Sequence, residues 1–258
     1  MCDSRLPNLS RDQRDFRLQS RDVHVWTIHR GAPDPMLPKF QSLLADEELD
    51  RANRFRFEHL RRSYIISRAA LRMLLGCYSR TAPKNIHFDY SPNGKPSSNA
   101  SADICFNASH SKAFTLLAFT RECNIGVDLE EIRPLSDMTA IARQFFCADE
   151  AAELLSLPAA ERRHAFFLCW TRKEAYLKAT GDGLSIGLDR FRVSLRPSEP
   201  ARFIHFAEEV PSAKRWVLHD LKPVQGYAAA VAYSGTPRTI QVFALSEPTQ
   251  LLDIGRIG

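Results

Sequence analysis

The segment FFLCWTRKEAYLKATG, ending at Gly181, carries Glu174 and Lys178 one helical turn apart among Trp170, Tyr176 and Leu177. Upstream, GVDLE alternates Val127 and Leu129 with Asp128 and Glu130, so in a strand both carboxylates leave the same face. A Glu–Lys pair at this helical spacing is by itself ordinary surface chemistry, worth about 0.3 kcal/mol. Two acids on one strand face are less ordinary. Asp and Glu are poor strand formers, and like charges two residues apart repel unless a cation or a hydrogen-bond donor lies between them. Carboxylate oxygens suit a hard divalent ion such as Mg2+, with Mn2+ as an alternative. Magnesium commonly shares its coordination sphere with phosphate, so three acids beside one lysine point to a phosphorylated substrate.

The elements that must position these residues recur along the chain. Glu58 to Gly76 reads as a long helix ending LRMLLG, followed by short strands, an apolar strand at Ala113 to Phe119 and a strand at Asn124 to Glu130. Ala160 to Gly181 repeats the helix, followed by strands near Phe191 to Leu195, Trp216 to His219, Tyr227 to Tyr233 and Thr239 to Leu245. The expected fold class is α+β, a pseudo-twofold duplication in which each half lays a long helix on a small, mostly antiparallel sheet. The expected divisions are a polar extension over 1–21, halves at 22–124 and 125–245, and a tail at 246–258. A half this small buries a limited core, so the two should pack together and leave the site in the cleft between them. The second copy of the acidic strand, Gln241 to Ser246, lacks paired carboxylates, which makes that site single.

Composition narrows the function class. The 258 residues are 44% hydrophobic and 25% charged, ordinary for a soluble globular chain. No apolar run has membrane-spanning length, and the N-terminus lacks the apolar centre of a secretory signal. Asp3, Asp12 and Asp15 among the arginines of the first 21 residues argue against a transit peptide, so the expected location is cytoplasmic. Cys2, Cys77, Cys105, Cys123, Cys147 and Cys169 form no C-x-x-C pair and read as reduced core residues rather than disulfides or zinc ligands. The net charge of +5 is concentrated in the Arg-rich stretch Arg51 to Arg72, a patch suited to phosphate or an acidic protein surface. No nucleic-acid-binding signature accompanies it, and neither nucleic acid nor membrane is an expected partner.

Four ordered motifs carry a family likeness: Gly94-Lys95-Pro96, Asn107-Ala108-Ser109-His110-Ser111, Gly126-Val127-Asp128-Leu129-Glu130, and Trp170 followed by Lys173-Glu174-Ala175-Tyr176-Leu177-Lys178-Ala179. With them the chain resembles the 4'-phosphopantetheinyl transferases of the two-halved, Sfp-like class over nearly its whole length. The resemblance implies transfer of the phosphopantetheine arm of coenzyme A to a serine of an apo acyl, aryl or peptidyl carrier protein, with release of 3',5'-ADP. Asp128, Glu130 and Glu174 match the family's magnesium ligands, and Lys178 its phosphate-contacting lysine. Glu174 and Lys178 thus count among the catalytic residues. Glu150, in FFCADE, matches a glutamate thought to deprotonate the carrier serine, although an acid in a helix's first turn also serves the helix dipole. Ser109 and His110 match residues that meet the phosphates or ribose phosphate of coenzyme A, and Lys95 one near the adenine and its 3'-phosphate.

For that 3'-phosphate the candidates on the basic helices are Arg51, Arg54, Arg61 and Arg62, with Arg62 next to Ser63 where many relatives carry arginine. Trp170 and Tyr176 are expected to pack the two halves together, and Pro134 to Leu155 to dock the carrier. An internally duplicated chain is expected to act as a pseudo-dimeric monomer. A non-catalytic coenzyme A or nucleotide-binding module, and a magnesium phosphohydrolase, remain as alternatives. The pathway served, whether fatty acid, polyketide, nonribosomal peptide or lysine metabolism, is not fixed by fold.

Overall fold

The structure, a computed structural model, describes residues 17–31, 34–181, 187–207 and 215–245, together with Glu247 and Gln250. Most of the expected N-terminal extension and nearly all of the tail therefore lie outside the described residues, as does Cys2. In chain order come β1 (Asp22–His29), α1 (Leu37–Gln41), α2 (Asp46–Asn53), α3 (Glu58–Ser79), β2 (Phe88–Tyr90), β3 (Pro96–Ser98), β4 (Ile104–Ser111), β5 (Phe114–Arg121) and β6 (Ile125–Glu131). They are followed by α4 (Met138–Phe145), α5 (Ala148–Ser156), α6 (Ala159–Thr180), β7 (Phe191–Val193), β8 (Phe203–Phe206), β9 (Trp216–Leu221), β10 (Tyr227–Ser234) and β11 (Thr239–Leu245). Among the described residues no helix is long and apolar enough to cross a membrane.

Two sheets organise the molecule, one of four strands in the order β11-β1-β5-β4 and one of three in the order β6-β10-β9. The first core packs Ile65, Ala69 and Leu74 of α3 against Trp26, Ile28, Leu117 and Phe119 on one face of the larger sheet. The second packs Ala175, Ala179 and other residues of α6 against Ala228, Ala230 and Ala232 of β10. The third, with Val23, Val25, Leu116 and Ala118 on one side and Val127, Leu129, Ala229 and Val231 on the other, lies between the two sheets. Each sheet thus has one face under a helix and the other against its counterpart, and alternation along the strands sorts the residues between the two.

The last strand crosses the boundary expected between the halves. Thr239–Leu245 runs parallel to β1, pairing Asp22 with Thr239 and Ile28 with Leu245, instead of extending the sheet of β10. Packing accounts for this placement: Phe243 stacks on Trp26 with ring centroids 4.4 Å apart. Arg238, in the turn before β11, donates to the Thr120 hydroxyl and the Arg121 carbonyl of the first half, each at 3.0 Å. The other inter-strand pairings are antiparallel.

Helix ends differ instructively. The second long helix stops where the glycine predicts, with Gly181 left-handed at φ 79° and its N–H on the Leu177 carbonyl at 3.1 Å. The first runs past Gly76 to Ser79, and Arg80 takes the left-handed position at φ 56°. Gly76 instead permits close packing, since a Cβ there would lie 2.7 Å from the Thr81 carbonyl oxygen. Among the described cysteines none is paired, and burial pushes the Cys77 and Cys147 thiols up to about 11.

One contact fixes how α6 sits on its sheet. A Cβ at Gly126 would fall 2.1 Å from the Ala175 carbonyl oxygen and 2.3 Å from the Ala179 nitrogen, so the helix backbone rests on the strand itself. Ala232, Ala230 and Ala228 stand opposite Gly126, Asp128 and Glu130 in β10, and their small side chains keep the rest of this floor low. Gly126→Ala must push backbone away from backbone. It should destabilise the protein by at least the upper end of the ~1–3 kcal/mol usual for overpacking, read as a lowered urea midpoint.

Candidate functional site

Strand β4 ends one sheet and β6 ends the other, so each has a row of backbone groups without a neighbouring strand to pair with. Side chains close this seam. Asn107 Oδ1 accepts the Val127 N–H at 3.0 Å, Ser109 Oγ the Leu129 N–H at 3.3 Å and Ser111 Oγ the Glu131 N–H at 3.1 Å. The two hydroxyls also donate, Ser109 to Asp128 Oδ1 at 2.8 Å and Ser111 to Glu130 Oε2 at 3.2 Å. The period of two along each strand sets this pattern, with alternate residues of β4 reaching alternate amides of β6.

Asp128 and Glu130 share with Gly126 the face of β6 covered by α6, which places Glu174 and Lys178 over them. Lys178 Nζ donates to Asp128 Oδ1 at 2.6 Å and to Ser109 Oγ at 3.0 Å. Ser109 Oγ therefore accepts two hydrogen bonds and donates one, which saturates a hydroxyl. Asp128 is 3% exposed, and its Oδ2 is buried without a hydrogen-bond partner. Desolvation, and after it the charge of Asp128, pushes the carboxyls of Glu130 and Glu174 above their usual range. Three acids thus share one lysine, and proton affinity rises where positive charge is short.

Ala108, Ser109, His110, Asp128, Glu130, Trp170, Glu174 and Lys178 line one cavity of about 470 Å³. A second, of about 270 Å³, lies under Gly94, Lys95 and Pro96 and shares Ala108, Glu174 and Lys178 with the first. Together they form a continuous trough between β4, the turn before β3, and α6. Among the described residues no three His, Cys, Asp or Glu side chains stand close enough to make a ready-formed metal cage. The donor set nevertheless fits a divalent cation: all oxygen, in excess of positive charge, with one buried carboxylate oxygen unpartnered.

The other expected site residues divide. His110 is exposed at the first cavity, its imidazole held below the usual value by partial desolvation and then by Arg30. Lys95 lines the second cavity while its Nζ donates to the Ala179 carbonyl at 2.6 Å, at the C-terminal end of α6. Arg51, Arg54, Arg61 and Arg62 line neither cavity. The Arg51 guanidinium lies 5.4 Å from the Tyr64 ring centroid, and Arg61 pairs with Glu58 at 3.2 Å.

Glu150, the residue expected as base for the carrier serine, has structural partners. It is fully buried, caps α5 by accepting the Cys147 N–H at 3.1 Å, accepts the Val193 N–H at 2.7 Å and pairs with buried Lys173 at 2.8 Å. It lines neither cavity, and its partners among the described residues are Cys147, Val193 and Lys173. Trp170 and Tyr176 differ from expectation: Tyr176 belongs to the core of the second half and Trp170, partly buried, packs against that core. Tyr176 contacts Phe191, Phe203 and Trp216, and Trp170 stacks on Phe166 while lining the cavity.

Sequence reasoning missed Ser111 and Asn107 as parts of the site. The signal was present in the alternation N-x-S-x-S facing G-V-D-L-E. Glu150→Gln leaves the Lys173 ammonium buried without its counter-charge, an arrangement that costs about 3–5 kcal/mol. Denaturant unfolding should show that loss, while turnover per folded molecule stays near that of the parent chain.

Comparison with known proteins agrees with this geometry. The model of the 4'-phosphopantetheinyl transferase superfamily matches residues 124–232, and that of the 4'-phosphopantetheinyl transferase N-terminal region matches 34–122. The 4'-phosphopantetheinyl transferase HetI of Nostoc sp. is 40% identical over 224 residues, covering 86% of this chain and 91% of HetI. The 4'-phosphopantetheinyl transferase Sfp of Bacillus subtilis is 30% identical over 157 residues, 61% of this chain and 69% of Sfp. Two matched models in the expected order, and a relative aligned over most of both chains, show that this protein belongs to the 4'-phosphopantetheinyl transferases of the Sfp-like class.

Proposed function

We propose that the trough holds coenzyme A with its diphosphate against Asp128, Glu130, Glu174 and Lys178, and that an apo carrier protein presents its serine there. The observation that carries this reading is the single cavity in which those four charged groups meet Ser109 and His110. In the transfer, the serine oxygen forms a bond to the β-phosphorus of coenzyme A. The phosphoanhydride bond breaks, 3',5'-ADP departs, and the serine proton passes to water or to a carboxylate lining the cavity. Lys178, a compact charge, offsets the negative charge that grows on the phosphate oxygens. Asp128, Glu130 and Glu174 are the residues to hold Mg2+, which when bound supplies Lewis-acid charge to the diphosphate. His110 offers a hydrogen-bond donor at the cavity mouth. Lys95 is assigned to the adenine side and the 3'-phosphate, with Arg51 and Arg62, which lie outside both cavities, as the further candidates for the 3'-phosphate.

The carrier is assigned to the groove of about 600 Å³ lined by Ile132, Pro134, Leu135, Met138, Ala159, Arg163 and His164, within reach of the segment Pro134 to Leu155. Its apolar floor and basic rim suit an acidic helical partner. The protein is assigned to act as a monomer in the cytosol, with the two sheets packed face to face within one chain.

Incubation of the purified protein with coenzyme A, Mg2+ and several apo carriers, followed by intact mass, tests the reading. A gain of one phosphopantetheine on at least one carrier is expected. No gain under conditions where a proven transferase modifies the same carriers contradicts it, and phosphate release from small esters without a carrier would favour a hydrolase. Glu174→Gln separates binding from turnover. It removes one of three mutually repelling carboxylates, so the variant should melt at a higher temperature than the parent chain in EDTA at neutral pH, while transfer falls ~100-fold or more.

A further inference from the structure

We infer that Ser111 is a positioning residue for the cation, one that fixes the Glu130 carboxylate through the seam between β4 and β6. The inference rests on the proposed function and adds to it a residue that touches neither substrate nor ion.

Ser111 and Ser109 repeat one arrangement two residues apart. Each hydroxyl accepts the N–H of the residue that follows an acid and donates its own proton to that acid: Ser109 for Leu129 and Asp128, Ser111 for Glu131 and Glu130. Because the accepted amide N–H belongs to β6, the hydroxyl proton is left free to point only toward an acceptor, and the preceding carboxylate is that acceptor. The two acids are nevertheless held differently. Asp128 is bound from two directions, by Ser109 and by Lys178 at 2.6 Å. Among the described residues Glu130 has Ser111 as its one hydrogen-bonding side chain, and it lies toward the open end of the seam, where β6 becomes half-buried. Loss of the Ser109 hydroxyl leaves Asp128 tied to Lys178, whereas loss of the Ser111 hydroxyl releases Glu130 and at the same time leaves the Glu131 N–H without its acceptor. Outer partners of this kind orient the atoms that bind a metal, and removing one typically weakens metal affinity about 10–100-fold.

The test uses Mn2+ as the probe, with its binding to the full chain followed by electron paramagnetic resonance in the presence of coenzyme A and in the absence of carrier. Ser111→Ala should weaken Mn2+ binding by about tenfold or more, and Ser111→Thr, which restores the hydroxyl, should return it to within threefold of the parent chain. Ser67→Ala removes a hydroxyl that bonds Thr115 at 2.6 Å on the far face of the same sheet and should leave Mn2+ binding unchanged. If Ser111→Ala does not fold, Ser111→Cys, close in volume but a weak hydrogen-bonding group, carries the same comparison.

Mn2+ affinity of the alanine or cysteine variant within threefold of the parent chain overturns the inference, as does equal weakening by Ser67→Ala. A parent chain that transfers phosphopantetheine but shows this insensitivity defeats the role of Ser111 alone. A parent chain that neither transfers nor binds Mn2+ defeats the proposed function as well.

Discussion

Helix α6 can rest its backbone on β6 only because position 126 has no side chain. The approach is close enough that a single methyl group would overlap the Ala175 carbonyl and the Ala179 nitrogen. From this constraint the site follows. With the helix axis pinned at Gly126, Lys178 reaches Asp128 and Glu174 faces the same cavity. The alanines of β10 extend the low floor beneath the helix, so the requirement is shared by two strands rather than resting on one residue. A longer side chain at any of these places would lift α6 and separate its charges from those of the strand.

The second requirement is electrostatic. The seam between β4 and β6 is closed by side chains instead of a backbone ladder, and the same hydroxyls that close it aim two carboxylates at the helix. What results is a cluster with more negative than positive charge, in which Glu130 and Glu174 are held above the usual carboxylate range. A chain selected for stability alone would remove that repulsion. Under the proposed function, that repulsion comes from the charge that a cation bound with the diphosphate would offset, and the buried Asp128 oxygen without a partner is a further acceptor for it. By contrast Glu150 and Lys173, equally buried, have each other and nearby backbone groups as partners, and they brace α5 and α6.

Periodicity made the long helices, the strand of alternating acids and the α+β class legible in the sequence, because burial of one face imposes a period that the residue types record. The shared cavity of Asp128, Glu130, Glu174 and Lys178 was legible for the same reason. Three features were not. The parallel pairing of β11 with β1 depends on Phe243 meeting Trp26, a contact between distant segments that no local pattern announces. Glu150 has the same first-turn position whether it caps a helix or serves a reaction, so its pairing with Lys173 and the Val193 N–H could not be read from spacing. The reach of Arg51 and Arg62 depends on side-chain direction from a helix surface, where spacing along the chain carries little information.

Diffraction from crystals soaked with coenzyme A and Mg2+ tests the central claim most directly. The account predicts one ion bound by oxygens of Asp128, Glu130 and Glu174 at about 2.0–2.1 Å and shared with the diphosphate, with Lys178 beside it. An ion held by other residues, or a diphosphate bound away from these three carboxylates, would contradict it.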